Sequence, residues 1–130
     1  MNRICQCAAL LLVLGLIAGC GPAVAEVSGT ILMDGNPLKE GDIIFMEADN
    51  TVTPSSAKIV DGKYTLKVLP GSKVVRINAS RPPLIPDKVL GDIAREPMIG
   101  EEFNTRSTLK AEIKPGKHEG VDFQVKSIPR

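Results

Sequence analysis

The chain is poor in the side chains on which many catalytic and sugar-binding sites depend. Its 130 residues include no tryptophan, one tyrosine, three phenylalanines and a single histidine. Grooves that act on sugars normally use aromatic rings as platforms, and an aromatic content of 3% offers almost none. An excess of positive charge is also missing, with 16 Lys and Arg against 15 Asp and Glu. This balance excludes a strongly basic nucleic-acid-binding protein.

The sequence offers no recognisable set of catalytic residues. A nucleophile needs a nearby base and a group that orients the base, and the only imidazole, His118, follows a Pro115-Gly116 turn at the start of a strand. Hydrolase, zinc-protease, P-loop and dinucleotide motifs do not occur. We therefore expect a noncatalytic protein without a cofactor, and we expect His118 to be an exposed turn residue.

Metal binding would have to use oxygen ligands. Asp34, Asn36 and Asp42 lie around one turn, and Asp49-Asn50 lies near another. Neither group has the spacing of an EF-hand with its closing glutamate. Asp and Asn are common in turns because they hydrogen-bond to nearby backbone, so we predict turns here and no metal site.

The N-terminus has the pattern of an export signal. Arg3 supplies a positive charge, and Ala8–Ala18 is an uncharged apolar run that is too short for the roughly 20 residues of a membrane span. The segment Ile17-Ala18-Gly19-Cys20 resembles a bacterial lipobox. That resemblance implies cleavage before Cys20 and acylation of its thiol, with each buried methylene contributing about 0.8 kcal/mol to membrane binding.

These features predict a lipoprotein signal peptide over residues 1–19, lipidated Cys20, and a short tether over residues 20–25. The alternative is an ordinary secretory peptide that is cut near Ala23 or Ala25. In the lipoprotein interpretation, Cys5 and Cys7 are removed together with the signal peptide. The mature domain would then have no free thiol, which excludes disulfides and cysteine-bound metals.

From residue 26 onward, apolar and polar residues alternate in short runs that are separated by Gly, Pro, Asn and Asp. Asp61-Gly62 between two such runs is a strong hairpin signal. We predict seven strands: Glu26–Met33, Gly41–Glu47, Ser55–Val60, Lys63–Lys67, Ser72–Ala79, Thr108–Ile113 and His118–Val125. This spacing predicts an all-β domain over residues 26–130 that is a seven-stranded β-sandwich with Ile31, Leu66, Ile77 and Phe123 in its core.

Residues 81–104 interrupt this pattern. They contain four prolines, and within them Asp87–Glu96 places Val89, Leu90, Ile93 and Ala94 on one helical stripe. We expect either a short helix with Asp87 as its N-cap, ended by Pro97, or an Ω-loop over one end of the sandwich. A connection that merely covers core residues is the alternative; loops of this length are often functional.

The order of strands and turns resembles that of carboxypeptidase-regulatory-like, or transthyretin-like, domains. The matching segments are Val27-Ser28-Gly29-Thr30, Asp34-Gly35-Asn36-Pro37-Leu38, Gly41-Asp42-Ile43-Ile44-Phe45, Asp61-Gly62-Lys63-Tyr64-Thr65-Leu66 and Pro70-Gly71-Ser72-Lys73-Val74. The Phe103–Leu109 and Ile113–Gly116 segments resemble the ending of small bacterial lipoproteins with this domain. The resemblance implies an Ig-like, prealbumin-like sandwich that serves as a noncatalytic accessory or interaction module.

Three functions remain open at this point. The first is a noncatalytic lipoprotein of the cell envelope, anchored to a membrane through Cys20, with its domain on the periplasmic or extracellular side and an envelope protein as its partner. The second is a carbohydrate- or small-ligand-binding module. The third is a small hydrolase, for which the sequence supplies no identifiable residues. Nucleic acid is not an expected partner.

Overall fold

A computed structural model describes residues 23–130 and shows an all-β protein. The predicted signal peptide, Cys20 and the first residues of the tether lie outside the described residues. The strands are β1 (Ala25–Met33), β2 (Asn36–Pro37), β3 (Glu40–Met46), β4 (Ser55–Val60), β5 (Lys63–Val68), β6 (Gly71–Asn78), β7 (Ser80–Arg81), β8 (Glu96–Pro97), β9 (Lys110–Ile113), β10 (Lys117–His118) and β11 (Phe123–Val125). The only helical turn in this part of the chain is a 3-10 turn at Glu101–Phe103.

One curled sheet contains nine of these strands. Its order is β10-β1-β5-β4-β3-β6-β9, and β2 and β11 also pair with β1. Strands β7 and β8 form a separate two-stranded ladder. Neighbouring strands are antiparallel, except that β10 and β11 run parallel to β1. The predicted final strand, His118–Val125, is therefore interrupted, and Gly120, with φ of 71°, lies in the interruption.

The register defines two ends of the domain. We call the end at which β1 begins the proximal end, and the opposite end the distal end. Because β5 is antiparallel to β1, with Thr30 opposite Lys63, the Asp61-Gly62 turn is distal. Strand β3 begins and β6 ends at the distal end as well, since Asp42 lies opposite both Lys58 and Asn78.

The predicted hairpin at Asp61-Gly62 is confirmed. Asp61 has φ of 49° and Gly62 has φ of 77°, so both central residues adopt the left-handed conformation that a two-residue type I′ turn requires. This turn matches the right-handed twist of the strands on either side. It therefore fixes the register of β4 and β5.

The core forms from the alternating apolar residues of the long strands. Ile31, Leu66 and Ile77 are buried as predicted, whereas Phe123 is only half-buried. The Phe45 ring is at the centre of the aromatic cluster, with its centroid 6.2 Å from that of Tyr64 and 6.3 Å from that of Phe123. Burial of each large aliphatic or aromatic side chain contributes roughly 1.5–3 kcal/mol, so this core supplies the main stabilisation.

The backbone of the C-terminal segment passes very close to the backbone of β1 at one crossing point. A Cβ atom at Gly29 would overlap the carbonyl oxygen of Val121, so only glycine fits at this crossing. The hydroxyl of Tyr64, which lies opposite Gly29, donates a hydrogen bond of 2.6 Å to the same carbonyl. Burial, with a smaller contribution from the Asp122 carboxylate, raises the pKa of Tyr64, so its hydroxyl remains a donor.

Of the two structures expected for Asp87–Glu96, a short helix or an Ω-loop, the prediction of a helix is wrong. This segment consists of turns, and Gly91 adopts the left-handed conformation with φ of 54°. Of the predicted apolar stripe only Ala94 is buried, whereas Val89 is 90% exposed and Ile93 is 76% exposed. A helix this short needs tertiary packing of its apolar face, and here that face contacts no core.

Candidate binding site

An open groove of about 640 Å³ lies at the distal end of the sheet. The start of β3, the end of β4 and the end of β6 form its walls, and Arg95, Glu96 and Pro97 close one side. Antiparallel pairing brings these three strand ends together, although they are far apart in the sequence. Ile59 and Ala79 contribute apolar surface to the groove.

The groove contains charged side chains of both signs. Asp42 and Lys58 form an ion pair of 2.6 Å with largely exposed side chains, and such pairs contribute only about 0–1 kcal/mol. Glu40 and Arg95 add one carboxylate and one guanidinium. No aromatic residue is among the described residues that line the groove. The groove is therefore suited to polar contacts rather than to stacking on a flat ring.

Next to the groove, residues 82–95 form an exposed segment that we call the apolar loop. Five of its side chains are large, hydrophobic and more than half exposed: Leu84, Ile85, Val89, Leu90 and Ile93. Isolated exposed hydrophobic residues are common, but a group of five within ten residues is typical of an interaction surface. The apolar loop is the most hydrophobic exposed segment in the described part of the chain.

The base of the apolar loop is held in place by β7 and β8. The Arg81 guanidinium lies 2.6 Å from a carboxylate oxygen of Glu96, and the Arg130 guanidinium lies 3.5 Å from the same oxygen. The C-terminal segment adds a backbone hydrogen bond of 2.9 Å from Ile128 to Met98. The two ends of the loop are therefore held together by ion pairs and by strand pairing.

The Asp87 carboxylate stabilises a turn inside the apolar loop. Its carboxylate accepts hydrogen bonds of 2.7 Å and 2.8 Å from the backbone N–H groups of Val89 and Leu90. These two bonds hold the pKa of Asp87 below its usual value. The capping interaction that the sequence predicts is thus present, but the chain turns at Gly91 instead of continuing as a helix.

The other residues that the sequence singled out do not join the groove. His118 lies near the proximal end, half-buried, with Nε2 2.6 Å from the Lys114 carbonyl oxygen. Asp34 accepts hydrogen bonds from Ser127, and Asp49 accepts them from Thr51; these bonds lower the pKa of both carboxyls. Within residues 23–130, no three His, Cys, Asp or Glu side chains converge to hold a metal ion.

Sequence reasoning missed a buried charge at the proximal end. Lys73 points to the core face of β6, and its ammonium lies 2.9 Å from the Glu47 carboxylate. The Lys73 side chain is 3% exposed and that of Glu47 is 28% exposed. The signal was available, because Lys73 precedes the buried Val75 and Ile77 at the two-residue period of a strand.

Comparison of the chain with protein-family models gives no match, and comparison with curated proteins gives none either. The resemblance to carboxypeptidase-regulatory-like domains therefore stays a prediction from the sequence. Between residues 23 and 130 there is no helix of the length and hydrophobicity that a bilayer span requires.

Proposed function

We propose that this protein is a noncatalytic, lipid-anchored component of the cell envelope whose β domain binds another envelope component at its distal end. The anchor is Cys20, which follows the apolar run and the lipobox-like segment. Residues 1–19 are the signal peptide, residues 20–25 the tether and residues 26–130 the binding domain. The domain faces the periplasmic or extracellular side of the membrane.

The domain is best described as a two-layered sandwich of the carboxypeptidase-regulatory-like kind. Support comes from the hairpin between β4 and β5, where only Val60 and Lys63 are paired. Beyond that pair, β4 pairs with β3 and β5 pairs with β1, and this separation of the two strands is what a two-layered arrangement requires. The rings of Phe45 and Phe123, from β3 and β11, meet across the space between them.

The observation that supports the proposal best is the position of the groove and the apolar loop relative to the anchor. Cys20 precedes Ala25 by five residues, a reach of at most about 18 Å. The nine residues of β1 then extend about 30 Å to the distal end. In an upright domain, the groove and loop therefore face away from the anchoring membrane, where an envelope partner can reach them.

A noncatalytic role agrees with the placement of the few reactive side chains. The imidazole of His118 is engaged with the Lys114 carbonyl near the proximal end, away from the groove. The groove offers carboxylates, a lysine, an arginine, amides and the Ser80 hydroxyl, but no histidine or cysteine among its described lining residues that could activate that hydroxyl as a base or serve as a nucleophile. These groups can bind a polar surface without an activated nucleophile.

A second candidate function is the binding of a small polar ligand, such as a carbohydrate, in the groove. The groove volume of about 640 Å³ lies within the roughly 300–1,000 Å³ of small-molecule sites. Its charged and amide groups supply both donors and acceptors of hydrogen bonds. The lack of an aromatic platform among the described lining residues makes a sugar the weaker choice.

The proposal is tested by following the full chain in fractionated bacterial cells. Cys20→Ser should move the protein from the membrane fraction to the soluble fraction without changing its circular dichroism spectrum. Cys7→Ser, within the predicted signal peptide, is the matched control and should leave the protein in the membrane fraction. Unchanged membrane partitioning of the Cys20→Ser variant would refute the lipid anchor.

A further inference from the structure

The apolar loop has charges that its own fold leaves without partners. Between residues 82 and 95 there are two acidic residues, Asp87 and Asp92, and two basic residues, Lys88 and Arg95. Within residues 23–130, none of these four side chains takes part in an ion pair. Asp87 and Arg95 hydrogen-bond to the backbone of the loop, whereas the Lys88 ammonium and the Asp92 carboxylate form no hydrogen bond within these residues. The loop therefore presents an apolar surface with one free charge of each sign.

This charge balance argues against a lipid surface as the partner of the loop. Segments that lie in a membrane interface combine an apolar face with an excess of Lys and Arg, which attract anionic headgroups. The apolar loop has equal numbers of acidic and basic residues, and residues 82–95 include no aromatic side chain. Protein interfaces, in contrast, combine an apolar centre with a polar rim in which both signs of charge occur.

The surface next to the loop is complementary to it. The exposed loop and the groove adjoin each other, because Arg95 ends the loop and also lines the groove. On the far side of the groove, Glu40 is exposed and forms no ion pair within the described residues, and Val60 is 62% exposed. The groove thus offers a free carboxylate and an apolar side chain to a segment that has a free ammonium and apolar side chains.

A surface that contains both members of a complementary pair, here an ammonium and a carboxylate beside exposed apolar side chains, can pair with itself through a two-fold axis, as most homo-oligomers do. Resting on the distal binding surface of the proposed function, we propose that the envelope component bound there is a second copy of this chain, in a dimer in which the apolar loop of each copy enters the groove of the other. Lys88 of one copy then faces Glu40 of its partner, and Val89 approaches Val60. A two-fold axis along the strands places both proximal ends on the same side, so the arrangement also suits two copies anchored to one membrane.

Charge reversal tests this pairing in the full-length chain, purified in detergent and analysed by sedimentation velocity over a range of concentrations. The wild-type chain should dimerise. Lys88→Glu and Glu40→Lys should each raise the dimer dissociation constant about ten-fold, since each places like charges together. The double variant K88E/E40K should return it to within about three-fold of the wild-type value, and Lys67→Glu, a control on the exposed face of β5, should not change it.

Disulfide cross-linking gives an independent result on the contact itself. A tagged Val89→Cys chain that is co-expressed with an untagged Val60→Cys chain should form a mixed disulfide under mild oxidation. Thr65→Cys in place of Val60→Cys is the exposed control and should form none. The wild-type chain, oxidised in parallel, shows any disulfide product that forms through Cys5, Cys7 or Cys20.

Several outcomes would overturn the proposal. They are a monomeric wild-type chain at every concentration, failure of K88E/E40K to restore dimerisation, or equal cross-linking at Val60 and Thr65. A blue shift of an environment-sensitive dye on Val89→Cys with phosphatidylethanolamine vesicles would identify a membrane as the occupant instead. Because none of these measurements depends on Cys20, a failure here would leave the proposed anchor intact, and release of the Cys20→Ser variant would be a separate result.

Discussion

Removing Glu47 should destabilise this protein more than removing its partner, Lys73. The Lys73 ammonium is almost fully buried, and the Glu47 carboxylate lies 2.9 Å away as its ion-pair partner. In Glu47→Ala the buried ammonium loses this partner, and breaking a fully buried pair in this way costs about 3–5 kcal/mol. Because Glu47 is 28% exposed, water can reach the vacated position, so we expect a loss of about 2–4 kcal/mol.

Replacing Lys73 instead leaves the Glu47 carboxylate without its partner, and leaving this partly exposed group unpaired costs less free energy. Lys73→Met keeps most of the buried stem of the side chain and removes the ammonium. The remaining Glu47 carboxylate is 28% exposed and therefore stays partly hydrated. We therefore expect Lys73→Met to change the free energy of unfolding by less than about 1 kcal/mol.

Urea unfolding of the two variants and the wild-type chain, followed by circular dichroism, measures this asymmetry directly. The wild-type m-value should be retained in both variants, so the shift in midpoint gives the change in stability. An equal loss in the two variants, or a larger loss in Lys73→Met, would contradict the view that the desolvated ammonium is the more costly group to leave unpaired.

Three further predictions concern the C-terminal crossing and the apolar loop. Gly29→Ala should lower the free energy of unfolding by about 2–3 kcal/mol in urea titrations, because its Cβ overlaps the Val121 carbonyl; a loss below about 1 kcal/mol would refute that contact. Tyr64→Phe should cost about 1–2 kcal/mol in the same assay through loss of the hydroxyl bond to that carbonyl, and a neutral result would contradict it. The Asp87 carboxylate has a lowered pKa, so its bond to the Leu90 N–H should persist above about pH 4 and weaken as the pH falls through the folded-state value. Hydrogen exchange at Leu90, corrected for intrinsic rates, should show this loss of protection in the wild-type chain and not in Asp87→Asn.

The long strands could be predicted because their residues obey two simple rules at once. In β5, for example, buried Tyr64, Leu66 and Val68 alternate with exposed residues, and a turn with positive φ precedes the strand. Alternation fixes the face, and the turn fixes the register. The observed limits of β4, Ser55–Val60, agree with the prediction, and those of β3 and β6 differ by one residue at each end.

The choice between a helix and a loop in the apolar loop could not be made from the sequence, because its pattern is compatible with both structures. The spacing of Val89, Leu90, Ile93 and Ala94 fits a helical stripe, but a stripe becomes a helix only when something covers it. Here Gly91 adopts a left-handed conformation, and the base of the loop is fixed by the contact between Arg81 and Glu96, fifteen residues apart. These long-range contacts are not visible in local periodicity.

The groove was also beyond sequence reasoning, for a different reason. Its residues come from β3, β4, β6 and the segment from Arg95 to Asn104, and only the pairing of the strands brings them together. The contact between Lys73 and Glu47 depends in the same way on the β3–β6 register, in which Met46 lies opposite Val74. In contrast, the prediction that Cys20 is lipidated needs only local sequence, so it could be made from the N-terminus alone.

The lipid anchor is tested most sharply by the intact mass and the N-terminal peptide of the chain isolated from bacterial membranes. We expect a mature protein that begins at Cys20 and has an added mass equal to two or three acyl chains with their glycerol. An unmodified chain that begins after Ala23 or Ala25, or a chain that retains residues 1–19, would contradict it.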